Sequence, residues 1–204
     1  AYLLALGRFF TIAAALDTGS SFEGMGAARE AAFSALAEPG LFLGLMVLVR
    51  KVGAASLSAM LDPEAVRHAW AATGGALVLV AVSFFVVLLV ENSRVPVDDP
   101  TTHLELTMIH EVMVLDHSGP GLGAILYGAA LKLFLLGALV VGVVYPFSSG
   151  SPWADWGVFL AAMLALAMGV AVVESFMARL RLLHVPRLLV AASVLSVFGI
   201  ILAR

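Results

Sequence analysis

The sequence predicts an all-α, polytopic membrane bundle of about six helices, and three observations predict it. Of the 204 residues, 62% are hydrophobic and 12% charged, with a mean hydropathy of +1.06; a soluble domain carries about 25% charged and 45–50% apolar residues. The apolar residues gather in runs close to the length of about 20 that a helix needs to cross a hydrocarbon core of about 30 Å. Leu, Val and Ala dominate these runs without the alternation of a membrane barrel. A net charge of −3 leaves no basic footprint for nucleic acid. The lack of cysteine excludes a cysteine-ligated iron–sulfur cluster or a disulfide held by these residues.

Six apolar runs follow in order: 1–16, interrupted by Arg8; 31–49, interrupted by Glu38-Pro39; 69–90, ending at Glu91; 121–146, interrupted by Lys132; 157–177, interrupted by Glu174; and 185–203. They read as one membrane domain over 1–204. Residue 1 already lies inside an apolar run with no basic leader, so no signal peptide is read there and further residues are expected ahead of it. The connections at 17–30, 91–120 and 178–187 fall on one side, with Arg29, Arg94, Arg179, Arg181 and Arg187. Those at 50–68 and 147–156 fall on the other, with Arg50, Lys51, Arg67 and the terminal Arg204. The positive-inside rule therefore places 91–120 in the cytoplasm.

Charges inside the runs carry the next signal. A charge at mid-helix costs about 2.5–3.5 kcal/mol on insertion scales, which a dozen aliphatic neighbours absorb. Arg8 and Glu174 are placed where they could snorkel to an interface. Lys132, about a dozen residues into its run, is too deep for that, and such a residue faces the bundle and pairs, often on an ion path. At Glu38-Pro39 two readings stand. Either the proline breaks the helix and leaves Glu38 shielded at membrane depth, or the helix starts at Pro39 and Glu38 is interfacial.

The stretch VENSRVPVDDPTTHLELTMIHEVMVLDHSGP, residues 90–120, concentrates the titratable chemistry: residues 91–117 hold six of the 14 acidic residues and three of the five histidines. Val95-Pro96 and Asp99-Pro100 keep 94–100 extended. Asp99 as N-cap, or Thr102 with Glu105 as a capping box, opens an amphipathic helix expected over 101–117, ended by Ser118-Gly119-Pro120. His103, His110 and His117 are seven apart, about 10 Å along a helix, too far to share one metal ion with nitrogen ligands about 2 Å away. No metal site is therefore expected. A merely solvated helix would not need Glu91, Arg94 and two prolines in one tight group. A proton-handling loop would, because partly buried carboxylates and histidines titrate near neutrality.

Glu91-Asn-Ser-Arg94-Val-Pro96-Val-Asp98-Asp99-Pro100, followed by His103-Leu-Glu105-Leu, resembles the E-x-x-R-x-P-x-D-x-P…E-L signature of the NuoH-type family (complex I subunit 1). The wording PTTHLELTMIHEVMVLDHSGP looks more like the membrane subunit of group 4 nickel–iron hydrogenases and formate hydrogenlyase. Two more segments agree, LDTGSSFEGMGAAREAAFSALAEP at 16–39 and VESFMARLRLLHVPRLL at 173–189.

The resemblance implies an all-helical subunit with no redox centre of its own, linking a hydrophilic electron-transfer arm to ion-translocating, antiporter-like subunits. Its partners would be hydrogenase-like large and small subunits and an iron–sulfur protein, which hold the nickel–iron centre and the iron–sulfur clusters. It implies proton or ion coupling for Glu91, Glu105, Glu38 and for Glu111 or Asp116, and the charges Glu174 and Lys132 inside the apolar runs are expected to join that relay. Loop structure and docking fall to Arg94, Pro96, Asp98, Asp99, His103, His110 and Arg29, with Arg94 expected to pair with Asp98 or Asp99. Thr101, Thr102 and His103 stand where complex I has more acidic residues, and Glu111 and Asp116 compete for one later glutamate of that family. Two other readings stay open: the quinone-site subunit of a complex I-like oxidoreductase, and a stand-alone transporter, although the inverted repeats of the latter are not visible.

Overall fold

The computed structural model describes residues 2–98 and 108–203, and within them all the regular secondary structure is helical. The α-helices are α1 (Tyr2–Asp17), α2 (Ser21–Val52), the short α3 (Leu57–Met60), α4 (Pro63–Glu91), α5 (Gly119–Val144), α6 (Pro152–Phe176) and α7 (Val185–Leu202). Two 3-10 turns, Glu111–Val114 and Leu182–His184, lie in the connections. Five of these helical stretches, α2, α4, α5, α6 and Leu182–Leu202, are long and apolar enough to cross a membrane. The first expected span, α1, has 16 helical residues.

The elements begin where local chemistry lets them. Asp62 caps α4 by accepting from Ala65 N–H, with Pro63 in the first turn. Gly53, at φ 76°, closes α2 in the left-handed region. Neither expectation at Glu38-Pro39 holds, because α2 runs unbroken through Pro39 for 32 residues. A proline inside a membrane helix is tolerated where neighbouring helices tie down the backbone around it, and here the Ser196 hydroxyl of α7 bonds the Gly40 carbonyl at 3.0 Å. Ser196 also bonds Ser83 of α4 at 2.9 Å, and Ser83 donates to the Ala192 carbonyl at 2.8 Å.

Helices α2, α4 and α7 form the packed centre, α5 lies on α4, and α6 rests mainly on α5. Lipid is as apolar as leucine, so close approach over small residues must hold such a bundle together. The buried face of α2 supplies them at helical spacing: Gly26, Ala27, Ser34, Ala37, Gly40 and Gly44. At Gly44 a Cβ would overlap the ring of Phe84, which is itself fully enclosed. α4 is kinked at Thr73 (φ −149°, ψ 51°), just before Gly74-Gly75.

Residues 21–30, expected in a connection, are instead the first three turns of α2, but the described parts of 17–30, 91–120 and 178–187 do meet at one end of the bundle. Arg29 bonds the Met108 carbonyl at 2.9 Å, Asp116 N–H bonds Glu23 Oε1 at 2.9 Å, and Leu180 N–H bonds the Pro96 carbonyl at 2.8 Å. The α-helix expected over 101–117 is not found in its described part, where 108–117 carries only the 3-10 turn at Glu111–Val114. Two contacts explain this. Asp98 Oδ2 accepts from the N–H groups of Ile109 and His110, at 2.9 and 3.3 Å, which holds the start of the turn to residue 98. The turn also presses on α2 at Gly26, where a Cβ would overlap Val112 and crowd Ile109 and Met113. Residues 99–107, with Asp99, His103 and Glu105, lie outside the described residues.

Candidate functional site

Folding 92–98 and 108–118 over the end of α4 leaves Glu91 inside the protein. Its carboxylate, with a side chain 7% exposed, is held by two cations from different helices: Arg8 Nη2 of α1 at 3.2 Å and Lys132 Nζ of α5 at 3.8 Å from the same Oε2. Each cation has a second carboxylate. Arg8 Nη1 pairs with Glu38 Oε1 at 3.2 Å, and Lys132 Nζ with Glu30 Oε1 at 3.5 Å. Both Glu30 and Glu38 belong to α2, so four helices meet at five charges. Charges at this depth persist only when paired, because an unpaired one would carry a desolvation cost of several kcal/mol.

Three cavities surround the cluster, and all touch Lys132. One, of about 310 Å³, runs between α1, α2 and α4 past Arg8, Glu38 and Glu91. A second, of about 410 Å³, lies between α1 and α5 with apolar walls and Arg8, Glu30 and His110 at its polar end. The third, of about 330 Å³, reaches up to the loop surface and is lined by Glu91, Arg94, Asp98, His110 and Glu111. Cavities of this size, with several polar groups each, are large and polar enough to hold water.

The loop surface above is tied by a second charge group. Asp98, with a side chain 4% exposed, pairs with Arg179 Nη2 at 3.0 Å while accepting from the turn at 109–110. Arg94 pairs with Glu174 of α6 at 3.6 Å; of the two partners expected for it, Asp98 is occupied by the turn and Arg179, and Asp99 lies outside the described residues. Glu174 is thus held by an ion pair. His110 lies beside Lys132 and Asp98, and burial, then the charge of Lys132, pushes its pKa below the ordinary histidine value against the opposing pull of Asp98.

The expected residues divide by place. Glu91 and Lys132 come together in the buried cluster, with Glu38, whose side chain is 42% exposed, at its edge. Glu111 and His110 line the cavity above it, with Arg94 and Asp98. Pro96 is buried in the loop and holds Leu180 through its carbonyl. Asp116 is exposed and contributes its backbone N–H to Glu23. Sequence reasoning missed Glu30, Glu23 and Arg179 as site residues, and noted Arg8 as a charge inside its run that could snorkel, without naming it a site residue. A signal existed for two of them: Glu23 and Glu30 are seven apart on the same stripe as Gly26, Ala27, Ser34 and Ala37, and so belong to the buried face.

These features define a polytopic helical membrane protein that carries a buried charge cluster beneath a stapled loop surface. The chain belongs to the NADH dehydrogenase family, whose model matches residues 1–204. It is 35% identical over 193 residues to formate hydrogenlyase subunit 4 of Escherichia coli (strain K12), covering 92% of this chain and 61% of that protein. It is also 35% identical over 146 residues to hydrogenase-4 component C of the same organism, covering 72% of this chain and 44% of that protein. The chain therefore spans less than two thirds of the length of either relative.

Proposed function

We propose that this chain is the membrane-anchor and energy-coupling subunit of a group 4 hydrogenase or formate hydrogenlyase-like complex. The relatives support the complex, and one observation carries the coupling role: Glu91 lies directly under the loop surface and is shared by two cations that each hold a further carboxylate. The loop face, oriented to the cytoplasm, docks the hydrogenase-like large and small subunits and an iron–sulfur protein, which carry the nickel–iron centre and the clusters. The sparsely covered α6 faces lipid or the antiporter-like subunits. A charge change at the docked arm redistributes the pairing of Glu91, and the rearrangement passes along the buried cluster.

The test is Glu91→Gln in the assembled complex. The substitution keeps the shape, and the expected result is an assembled complex with measurable hydrogen evolution but reduced ion translocation into vesicles. Undiminished translocation would remove Glu91 from the path. The apolar-walled cavity between α1 and α5, with its charged end, favours a second reading, the quinone-site subunit of a complex I-like oxidoreductase. Saturable inhibition of electron transfer by a quinone analogue, lost when Gly128 in that cavity is enlarged to leucine, would select it.

A further inference from the structure

We infer that the corner joining α6 to α7 binds an anionic phospholipid, with its phosphate held by Arg181 and Arg187 and an acyl chain laid along the outer stripe of α7. This site is separate from the buried cluster and does not depend on the coupling role. The corner has an inner and an outer side. Arg179 and Leu180 are tied inward, to Asp98 and to the Pro96 carbonyl. Arg181, Leu183, His184 and Arg187 are exposed. Leu183 is 82% exposed, and Phe176 at the end of α6 is 86% exposed, so cations and large apolar side chains share this surface.

No acidic residue occurs from 175 to 204. The carboxylates nearest in the chain and the loop, Glu174 and Asp98, are held by Arg94 and Arg179. Among the described residues, then, no carboxylate pairs with Arg181, His184 or Arg187. Arg187 is the third residue of α7 and lies inside the apolar span Leu182–Leu202. It heads a stripe in which Val190, Val194, Phe198 and Ile201 follow at steps of three and four, all of them exposed. Helix α7 packs on α2 and α4 while α6 rests mainly on α5, so no other described helix covers that stripe. At the far end of α6, Trp153 and Trp156 are exposed, as aromatic anchors of a lipid-facing helix are.

An acidic protein segment would answer Arg181 and leave the stripe beneath it bare. A purely apolar helix would cover the stripe and leave Arg187 without a counter-charge at the edge of the hydrocarbon. An anionic phospholipid answers both. Arginine takes phosphate oxygens in paired N–H···O bonds, its stem lies along the apolar surface below, and a chain from the same lipid covers Val190 and Val194. Basic clusters at the ends of transmembrane helices are where anionic headgroups gather. A zwitterionic headgroup carries its own cation and offers the arginines less.

The experiment places photoreactive p-benzoylphenylalanine at the position of Leu183 in the whole complex, reconstituted in vesicles of phosphatidylcholine and phosphatidylglycerol in equal parts. After irradiation the denatured subunit is weighed by mass spectrometry. The expected result is the added mass of a phospholipid, with phosphatidylglycerol adducts exceeding phosphatidylcholine adducts about fivefold or more, the factor an arginine near an anionic headgroup contributes. The double variant Arg181→Gln/Arg187→Gln changes two exposed side chains and should assemble normally and lose the preference. Equal adducts of the two lipids with both arginines present, or a preference that the double variant retains, overturns the assignment. An adduct with another protein subunit also overturns it, because the face would then be a protein interface. Inorganic phosphate at matched ionic strength should leave the preference intact; its collapse would make the corner a site for a free anion and not a lipid seat.

Discussion

Replacing Lys132 by methionine tests whether the buried cluster is a mutual arrangement or a set of independent contacts. The side chain keeps its length and loses its charge. Glu91 still has Arg8 at 3.2 Å, but among the described residues Lys132 is the ion-pair partner of Glu30, whose side chain is 6% exposed. Removing one partner of a buried pair costs about 3–5 kcal/mol because the other charge is left uncompensated. For a chain of this size each kcal/mol moves a melting temperature by about 2–4 °C, so the apparent Tm of the assembled complex should fall by about 6–20 °C. The double variant Glu30→Gln/Lys132→Met removes both charges and leaves only a neutral amide, so it should recover most of that loss. Glu30→Gln alone should be mild, because Lys132 retains Glu91 at 3.8 Å. Thermal disassembly followed by size-exclusion chromatography reads all three. If the double variant is as unstable as Lys132→Met, the cost is lost packing and the ion-pair reasoning is wrong.

Gly26→Val should lift the 109–113 turn from α2, because the new side chain would occupy the space of Val112 and Met113; a cysteine placed at Asp116 should then react faster with a water-soluble maleimide, while Gly24→Ala, where only Leu16 is near, should not change it. Ser196→Ala removes the hydroxyl joining α7 to α2 and α4 and should cost about 0.6–2 kcal/mol, the range of interhelical hydrogen bonds in membranes, measured as a small drop in the same thermal assay. The pKa of His110 is lowered in the folded protein, so the unfolded chain binds the extra proton first as pH falls, and stability is lost on going below about 6.5 toward the folded value. His110→Asn should flatten that acid slope, and an unchanged slope would assign it elsewhere.

What could be read from sequence follows the range of the forces involved. The spans were legible because twenty apolar residues can satisfy a bilayer without regard to the rest of the chain. The start of α2 at Ser21 was not, since Ser21 to Glu30 mixes glycine and charge and resembles a solvated segment until its partners are known. Caps and spacing favoured a helix across 101–117, yet the described part turns as a 3-10 helix because Asp98 and Gly26 compete for it from outside. Glu91 and Lys132 were found by depth and by resemblance. Their connection was not, because Arg8 reaches Glu91 across 83 residues, and no local periodicity encodes that.

The two charge groups also differ in a way that bears on how a signal would cross the loop. Asp98 is saturated: Arg179 and two backbone N–H groups hold it, so it can set the shape of the loop but has little freedom to change partners. Glu91 is the reverse, one carboxylate oxygen contested by two cations that both have somewhere else to go. Buried networks with alternative pairings are the kind that can switch between discrete arrangements at low cost, whereas fully committed ones transmit shape. On the function proposed above, the rigid group would serve docking and the contested one coupling, and His110, which interacts with both Asp98 and Lys132, would be the residue through which a shift of the loop is first felt below.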